Sequence, residues 1–527
     1  MDYTLLDWLL SLAPMVAVLG LMIARGWNGS RAGAAGWLLA LAVAGLRFGA
    51  GAEVLGYAQL KALILTVDVS LIIWAALLLY YIVDRASALR VITDALGRLT
   101  ADRMTQVLLL GWVFASFLQG VGGFGVPVAI VAPLLVGMGV PQVRAVIIPA
   151  IGHGWAVTFG SLGASFVMLI NASGLPGEQL APAAATMLGL LAYASGLMGA
   201  HALDGWRGVW RAVPYVLVTG ATMGLAQYAL VTNGLWTIGA IGAGLAGLAV
   251  SVAWVRLRAR SPETSVSAPR DAPAANRPLP SVRLALVGYA VLIALALTLR
   301  AVTPVKDFLG QWAVAVDIPA TTTGRDWVVP AEDGAGFGIP GHPGLIIVYS
   351  GLIAYTLYRR RGLYLPGAAR DILRESGSRA FKATVGVFMM VAIAATMERA
   401  GMMDVLARGL SDALPGDLYA FVAPLIGAIG AFVTGSNVNS NAVFGGLQRE
   451  TADAARPVRH HDSGRADRRR RRDQRHVPGQ SDGGVQHGGG QRRPGDARAA
   501  RLWRGDRAAR RRADLAGAER ALEAVMH

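Results

Sequence analysis

About thirteen apolar segments follow one another along the chain, and this succession limits the fold more than any other feature of the sequence. They lie near residues 5–24, 34–50, 62–83, 105–118, 125–150, 155–172, 183–203, 212–232, 234–255, 283–301, 343–358, 381–397 and 417–433. Most have about 17 to 25 residues, the length at which a helix crosses the hydrocarbon core of a bilayer. The sequence therefore predicts an all-α polytopic integral membrane protein with about 12 to 13 transmembrane or re-entrant helices.

The overall composition agrees with a membrane protein. Charged residues make up 16% of the 527 residues, whereas a soluble domain has about 25%. The N-terminal apolar segment carries Asp2 and Asp7 where a signal peptide has basic residues, so we interpret it as the first transmembrane helix. The chain has no cysteine, which excludes disulfides and thiol-based metal or redox chemistry.

The charges of the polar loops predict the orientation in the membrane. Arginines concentrate in the loops at 85–103, 255–283 and 359–379, whereas acidic residues predominate in the loop at 302–342. Because cytoplasmic loops carry an excess of Lys and Arg, we expect the first three loops in the cytoplasm and the fourth outside. The predicted domains are an N-terminal membrane half (1–255), a polar cytoplasmic linker (256–282), a C-terminal membrane half (283–450) and an arginine-rich tail (451–527).

A glycine-rich stretch, FLQGVGGFGVPVAI at residues 117–130, interrupts an apolar region. Glycine is unfavourable inside a helix and proline removes a hydrogen-bond donor, so Gly120, Gly122, Gly123, Gly125 and Pro127 favour a broken helix. Free backbone N–H groups at such a break can bind an anion within the membrane. The alternative is a glycine-rich face for helix packing.

A polar stretch, TGSNVNSNAVFGGLQ at residues 434–448, follows another apolar run. Its polar side chains are Thr434, Ser436, Asn437, Asn439, Ser440 and Asn441. Polar groups buried in a membrane need partners, so the cluster is either a substrate site or a hydrogen-bonded helix contact. Helix breaks in corresponding places of two halves indicate the binding site of a transporter built from repeats, although no repeat is visible residue by residue.

Two titratable residues in apolar surroundings are candidates for carrying a proton. His153 lies in IGHGWAVTFGSLG, residues 151–163, where Thr158 and Ser161 are also candidates to line a cavity. Asp68 lies near the middle of the third segment, and a carboxylate inside a membrane is a functional candidate. The alternatives are an exposed His153 without a role, and a structural pair between Asp68 and Lys61, seven residues earlier.

These stretches resemble the L-lactate permease family of bacterial transporters. The residues that carry the resemblance are QGVGGFGVPVAIVAPLLVGMG (119–139), WAVTFGSLG (155–163) and TGSNVNSNAVFGGLQ (434–448). The resemblance extends over about residues 1 to 450 and implies a multi-pass permease of the bacterial inner membrane with broken helices. It implies uptake of L-lactate, and often glycolate or D-lactate, together with protons. The family's motif regions correspond here to Gly122, Gly123, Phe124, Gly125, Pro127, Ser436, Asn437 and Asn441.

A lactate-like substrate is chemically reasonable for these residues. Backbone N–H groups at a broken helix can bind its carboxylate, and Asn and Ser side chains can bind its hydroxyl. A proton on Asp68 or His153 would offset the negative charge of the anion. The expected partners are therefore the anion, protons and the lipid bilayer. No cofactor, metal site or nucleic-acid partner is predicted, and the oligomeric state is left open.

The tail differs sharply from the rest of the chain. Residues 456–527 hold 19 arginines against 9 acidic residues, which is +10 of the formal net charge of +16. Residues 451–527 contain no Phe, Tyr, Ile or Lys, and Arg468–Arg472 are five consecutive arginines. We interpret this change of composition as a frame change in a GC-rich gene, starting between about residues 449 and 460, in which Gly and Ala codons are read as Arg codons. The final helices of the permease would then not be encoded.

Three other interpretations of the tail are a basic segment that binds anionic lipid, an RNA-binding tail, and an amphipathic helix over 507–526. For the whole chain, one rival function is a transporter of another organic anion, such as a dicarboxylate or citrate, coupled to Na⁺ or protons. It would need an added intramembrane cation, for which Arg47, Lys61 and Lys382 are the few candidates. An integral-membrane enzyme is a weaker rival, and so is a membrane scaffold with a nucleic-acid-binding tail.

Overall fold

The structure is a computed structural model that describes residues 3–123, 125–258, 279–301, 312–414 and 416–455. Phe124 and most of the predicted polar linker lie outside the described residues. The same holds for residues 456–527, and so for most of the tail to which the frame-change hypothesis refers.

Helices account for most of the described chain. The first nine are α1 (Leu5–Arg25), α2 (Gly29–Leu46), α3 (Ala52–Arg85), α4 (Ala88–Gly97), α5 (Arg103–Leu108), α6 (Ala115–Val121), α7 (Val126–Gly137), α8 (Gln142–Gly152) and α9 (Ala164–Ser173). The others are α10 (Gly177–Thr232), α11 (Gly239–Arg258), α12 (Val282–Ala285), α13 (Val287–Ala301), α14 (Pro343–Arg360), α15 (Ala368–Arg399), α16 (Met402–Ala413), α17 (Gly416–Thr434) and α18 (Asn437–Ala454). A π-helical segment, Leu109–Phe114, joins α5 to α6.

A small β-structure occupies part of the predicted acidic loop. It consists of β1 (Ala313–Ile318), β2 (Thr321–Thr322), β3 (Val328–Val329) and β4 (Glu332–Gly338), paired antiparallel as β1 with β4 and β2 with β3. These strands were not predicted from the sequence, where the segment has mixed polarity and leans acidic. Such a minor sheet leaves the all-α class unchanged.

The predicted polytopic membrane fold is confirmed. Within the described residues, eight helices or helical stretches are long and apolar enough to cross a bilayer: Leu5–Arg25, Gly29–Leu46, Ala52–Arg85, Arg103–Val121, Gln142–Ser173, Gly177–Thr232, Trp236–Arg258 and Ala368–Arg399. Three shorter apolar helical stretches are Val126–Gly137, Val287–Thr298 and Leu418–Phe432. Large apolar side chains such as Leu190, Trp206 and Phe421 are exposed on the surface, as expected where lipid surrounds a protein.

One predicted span was wrong in a way that matters for function. The segment predicted at 125–150 is two helices, α7 and α8, separated at Gly139 and Pro141. Gly139 has φ +79, a left-handed conformation that residues with a Cβ rarely adopt. Pro141 prevents the helix from continuing, because it has no N–H to donate. The chain therefore turns back instead of crossing the membrane.

Ion pairs and hydrogen bonds define two ends of the molecule. At the arginine-rich end, Arg85 pairs with Glu375, and Arg103 donates to the carbonyl oxygen of Gly139 at 2.9 Å. At the opposite end, Asp7 pairs with Arg47 at 2.7 Å and Arg325 at 2.9 Å. The charge bias of the loops assigns the arginine-rich end to the cytoplasm.

Two helical hairpins enter the membrane from opposite ends. The first runs along α5 and α6 from the arginine-rich end, reverses near Gly123 and returns along α7 to Gly139. The second runs along α17 from the opposite end, reverses at Gly435 and returns along α18. Both predicted helix breaks are therefore tips of re-entrant hairpins.

Candidate substrate site

The tips of the two hairpins meet a third helix break. Between α8 and α9 the α-helix is interrupted over residues 153–163, which form two short 3-10 turns, Gly154–Ala156 and Ser161–Gly163, and it resumes at Ala164. Ser161, Leu162 and Gly163 are consecutive left-handed residues, with φ values of 48, 57 and 83. Left-handed conformations cost roughly 1 kcal/mol or more per non-glycine residue and tend to occur at functional sites.

Hydrogen bonds join the second tip to this third break. The side-chain amide of Asn437 donates to the Thr158 hydroxyl at 3.2 Å. The amide of Asn441 donates to the backbone carbonyl of Ser165 at 2.9 Å. Residues almost 280 positions apart in the chain are thus brought together by the fold.

The first tip contacts the same break through its glycines. Gly123 has φ +54, and a Cβ placed on it would collide with the Ser161 hydroxyl. Gly125 has φ +82 and precedes α7 directly. Gly120 has another role, because a Cβ there would lie 2.6 Å from the backbone nitrogen of Ile241 on α11. The stretch therefore contains both a turn at the cavity and a helix-packing contact.

A cavity of about 220 Å³ lies where the three breaks meet. Its walls are formed by Gln119, Gly125, His153, Val157, Ser161, Ser165, Gly435, Ser436, Asn437 and Val438. Since a water molecule occupies about 30 Å³ in the liquid, the cavity has room for a small organic anion and some water.

Three helix N-termini border this cavity. Gly125 is the N-cap of α7, Ser165 lies in the first turn of α9, and Ser436 is the N-cap of α18. The Ser436 hydroxyl accepts a hydrogen bond from the backbone N–H of Asn439 at 3.3 Å.

Each N-terminus carries about half a positive charge, which favours an anion nearby, although at α7 the N–H of Val126 is bonded to the carbonyl oxygen of Gly123 and Pro127 has no N–H. Among its lining residues His153 is the one that titrates, and none is Lys or Arg.

The structure places the predicted site residues in three groups. Gly125, His153, Ser161, Ser436 and Asn437 line the cavity, and Gly123, Thr158 and Asn441 contact its walls. Gly122 ends α6 beside Tyr80, and Pro127 lies in the first turn of α7. Asn439 and Ser440 do not line the cavity: Ser440 donates to the Gly427 carbonyl at 3.1 Å, and Asn439 lies near Gly29 and Gly386.

Two polar residues of the cavity wall were not predicted from the sequence. Gln119 is almost fully buried, and its amide lies beside the turn at Gly123. Ser165 begins α9 and accepts the hydrogen bond of Asn441. A buried glutamine in an apolar run is a signal that the sequence contained, whereas Ser165 stands out only when the fold is known.

His153 ends α8 at the wall of the cavity. Its Nδ1 atom lies 2.6 Å from the carbonyl oxygen of Pro149. A carbonyl oxygen can only accept, so Nδ1 carries a proton and donates it. The other ring nitrogen, Nε2, is then the atom that can accept a hydrogen bond or a proton.

The predicted pairing of Asp68 with Lys61 was wrong. Residues seven apart on a helix are about 10 Å apart along its axis, and each side chain has a partner on another element. His342 Nε2 lies 2.9 Å from one carboxylate oxygen of Asp68, and the amide of Asn171 donates to the other at 2.7 Å. Because His342 Nδ1 accepts from the N–H of Gly344 at 3.0 Å, its Nε2 is the donor to Asp68.

Lys61 belongs to a separate charged cluster towards the opposite end. Its ammonium group lies 2.9 Å from Glu332 and 3.0 Å from Glu398. Arg399 is fully buried and donates to Thr321 at 3.1 Å and to Glu332 at 3.3 Å. This cluster fixes the small β-structure to the ends of α3 and α15.

Comparison with known proteins gives a consistent result. The model of the L-lactate permease family matches residues 7–457. An L-lactate permease of Streptococcus iniae is 28% identical over 72% of this chain and 77% of its own. An L-lactate permease of Bacillus subtilis is 26% identical over 85% of this chain and 84% of its own. A glycolate permease of Escherichia coli is 26% identical over 72% of each chain. No solved structure matches the chain.

Proposed function

The chain belongs to the L-lactate permease family, a family of multi-pass transporters of the bacterial plasma membrane, and we propose that it takes up L-lactate and related small 2-hydroxy monocarboxylates together with protons. The observation that carries this proposal is the cavity bordered by three helix N-termini, with no Lys or Arg in its wall. The names of the relatives, which include lactate and glycolate permeases, agree with it.

The charge of the cavity suits one carboxylate. Three N-termini of about +0.5 each give roughly +1.5, enough to bind one negative charge without a cationic side chain. A dicarboxylate or citrate would need further cations. Of the three candidates, Arg47 is paired with Asp7 and Lys61 with Glu332 and Glu398. The third, Lys382, is exposed and does not line the cavity. A monocarboxylate is therefore the better match.

The hydroxyl of a 2-hydroxy acid also finds partners. Ser436 and Asn437 supply polar side chains at one wall, and His153 at another supplies Nε2 as an acceptor. The backbone N–H groups at the start of α7, α9 or α18 bind the carboxylate in this arrangement. A site that forms a hydrogen bond to a hydroxyl discriminates against the analogue that lacks it.

Protons complete the proposed reaction. An anion that enters a cell moves against the negative interior potential unless a cation accompanies it. Asp68 and His153, the groups named by the sequence, remain predicted carriers of the proton. Asp68 is bonded to Asn171 on α9, so its state can influence a helix that borders the cavity.

Ligand competition tests the proposed substrate. The cavity lining given by the described residues lies before residue 439, so the purified full chain is expected to bind radiolabelled L-lactate in detergent. Glycolate should compete, whereas propionate, which lacks the hydroxyl, should compete about tenfold less well. Stronger competition by succinate or citrate would favour the dicarboxylate alternative, and absence of L-lactate binding would refute the proposal.

His153→Ala is expected to remove most of the preference for the hydroxyl acid. Without Nε2 as acceptor, the affinity for L-lactate should fall about tenfold, while that for propionate changes little. The measurement is competition against radiolabelled L-lactate. His201→Ala, at a histidine that does not line the cavity and meets Trp206 edge to face, is the matched control. Equal losses for both ligands would contradict a contact between His153 and the hydroxyl.

A further inference from the structure

A second cavity lies beyond the substrate cavity, towards the end that the charge bias assigns to the outside. We call it the vestibule; its volume is about 730 Å³. Among its walls are Lys61 of α3, Glu398 of α15, Asp404 of α16, and Arg449, Glu450 and Asp453 of α18. Arg449 and Asp453 are each more than two-fifths exposed, so the vestibule is accessible to water.

One helical turn separates the vestibule from the substrate cavity. Ser165 and Val438 line the substrate cavity, whereas Met168 and Ala442, one turn further along α9 and α18, line the vestibule. The hydrogen bond from Asn441 to Ser165 closes the gap between the two helices at this level. An anion that enters from the vestibule must therefore pass the contact between α9 and α18.

Glu450 occupies an unfavourable position in the vestibule wall. Its Oε2 atom is buried and has no hydrogen-bond partner among the described residues. The other charged groups of the described vestibule wall are Lys61 of α3, Glu332 of β4, Glu398 of α15, Asp404 and Arg408 of α16, and Arg449 and Asp453 of α18. The described residues of α9 that line it include no titratable group. A buried carboxylate oxygen without a donor costs free energy while it is charged, and adjacent carboxylates add to the cost.

The cations nearby are already engaged. Lys61 is held between Glu332 and Glu398, and Arg408 pairs with Asp404 at 2.9 Å. Arg449 donates to the carbonyl oxygen of Ser173 at 2.7 Å and lies 3.5 Å from Asp453. Proton binding is therefore the direct way to remove the negative charge from Glu450.

We infer that Glu450 is the carboxylate that binds the transported proton, and that its protonation allows the hairpin of α17 and α18 to close the vestibule over the bound anion. A proton from external water converts the carboxylate to the neutral acid, while the substrate adds one negative charge at the other end of α18. The loaded hairpin then has the same net charge as the empty one. This inference rests on the proposed uptake of lactate.

The two ends of α18 are coupled by movement of the hairpin. Asn437 and Glu450 are 13 residues apart, which is about 20 Å along the helix. At that distance direct electrostatic attraction or repulsion is below about 1 kcal/mol. In the inferred movement α18 nevertheless moves as one element, with the substrate contact at its start and the proton at its end. Gly435, with φ +62, precedes this helix and is the hinge.

Cysteine labelling tests this inference, because the chain has no cysteine of its own. Ala394→Cys places one thiol at a partly exposed position of the vestibule wall of the full chain in proteoliposomes. Saturating L-lactate should slow its labelling by a membrane-impermeant thiol reagent about tenfold at pH 5.5 and much less at pH 8. The ratio of rates with and without L-lactate at each pH removes the pH dependence of the thiol itself.

Glu450→Gln should give strong protection by L-lactate at both pH values, because glutamine resembles the protonated acid. Asp453→Asn, at a half-exposed carboxylate on the same helix, is the control and should keep the pH dependence. Asp68→Asn and His153→Ala test the rival carriers, and for His153→Ala the L-lactate concentration is raised about a hundredfold above that used for the unmodified chain, because the loss of Nε2 itself weakens binding. If Glu450→Gln does not fold, the neutral Glu450→Met replaces it.

The assignment to Glu450 is overturned if the protection by L-lactate still depends on pH in the neutral variant at position 450. It is also overturned if this pH dependence disappears in Asp68→Asn or His153→Ala. That result leaves L-lactate binding by the unmodified chain intact. If the unmodified chain does not bind L-lactate, both the proposed function and this inference fall.

Discussion

Asn437→Asp is expected to weaken L-lactate binding about a hundredfold. The substitution changes the shape of the side chain very little but places a negative charge in the cavity wall at the start of α18. Two like charges about 5 Å apart repel each other by about 3 kcal/mol at an effective dielectric constant of 20. That energy corresponds to about two orders of magnitude in affinity.

Asn437→Ala separates the effect of charge from that of the lost hydrogen bond. It removes the contact with Thr158 but adds no charge, so we expect about a tenfold loss of affinity. Asn233→Asp introduces a carboxylate at an exposed position after the end of α10, away from the cavity, and should change binding less than about twofold. Equilibrium binding of radiolabelled L-lactate measures all three variants. Similar affinities for Asn437→Asp and Asn437→Ala would contradict binding of the anion at this helix start.

The membrane fold could be predicted because apolar length is a local property. A segment such as Leu5–Arg25 is long enough to span by its own composition, whatever surrounds it. The segment at 125–150 satisfied the same criterion although it turns back at Gly139 and Pro141. Hydropathy reports that a residue is in the membrane but not the direction in which the chain travels.

The candidate site was only partly predictable from the sequence. Its polar stretch at 434–448 was interpreted as a helix break, but from Asn437 onward it is helical, and the helix decides which side chains face the cavity. In α18, Asn437 and Asn441 are four residues apart and share one face, and both contact the third helix break. Asn439 and Ser440 lie between them and turn elsewhere. Recognition of Ser436 as an N-cap would have separated the two groups, since helical periodicity then follows.

The partners of Asp68 and Lys61 could not be predicted from the sequence for another reason. Asp68 meets His342, and Lys61 meets Glu332 and Glu398, across some 270 to 340 positions of the chain. Spacing along one helix suggested Asp68 and Lys61 as partners, but each has a closer partner on another element. Such pairs depend on the packing of α3 against α14, α15 and the small sheet, which no local pattern encodes.

Resequencing of the gene over codons 440 to 527 is expected to find a one-base change that restores an apolar, Gly- and Ala-rich continuation. We propose that the frame changes after codon 454 and before about codon 460, in the later part of the interval that the sequence indicates, so that Glu450 is still encoded in frame. Two observations support this proposal: α18 continues to Ala454, and the family match ends at residue 457, after which the arginine-rich composition takes over. Both boundaries fall within the proposed interval.

The functional consequence is larger than that of any single substitution. The cavity is formed by residues before 439, so the chain as written should bind L-lactate. Under this proposal the restored frame encodes further membrane helices that transport needs, so uptake of radiolabelled L-lactate into cells should be absent with the gene as written and present with the restored frame. An unchanged gene sequence together with L-lactate uptake by the chain as written would contradict the frame change and make the basic tail part of a working transporter.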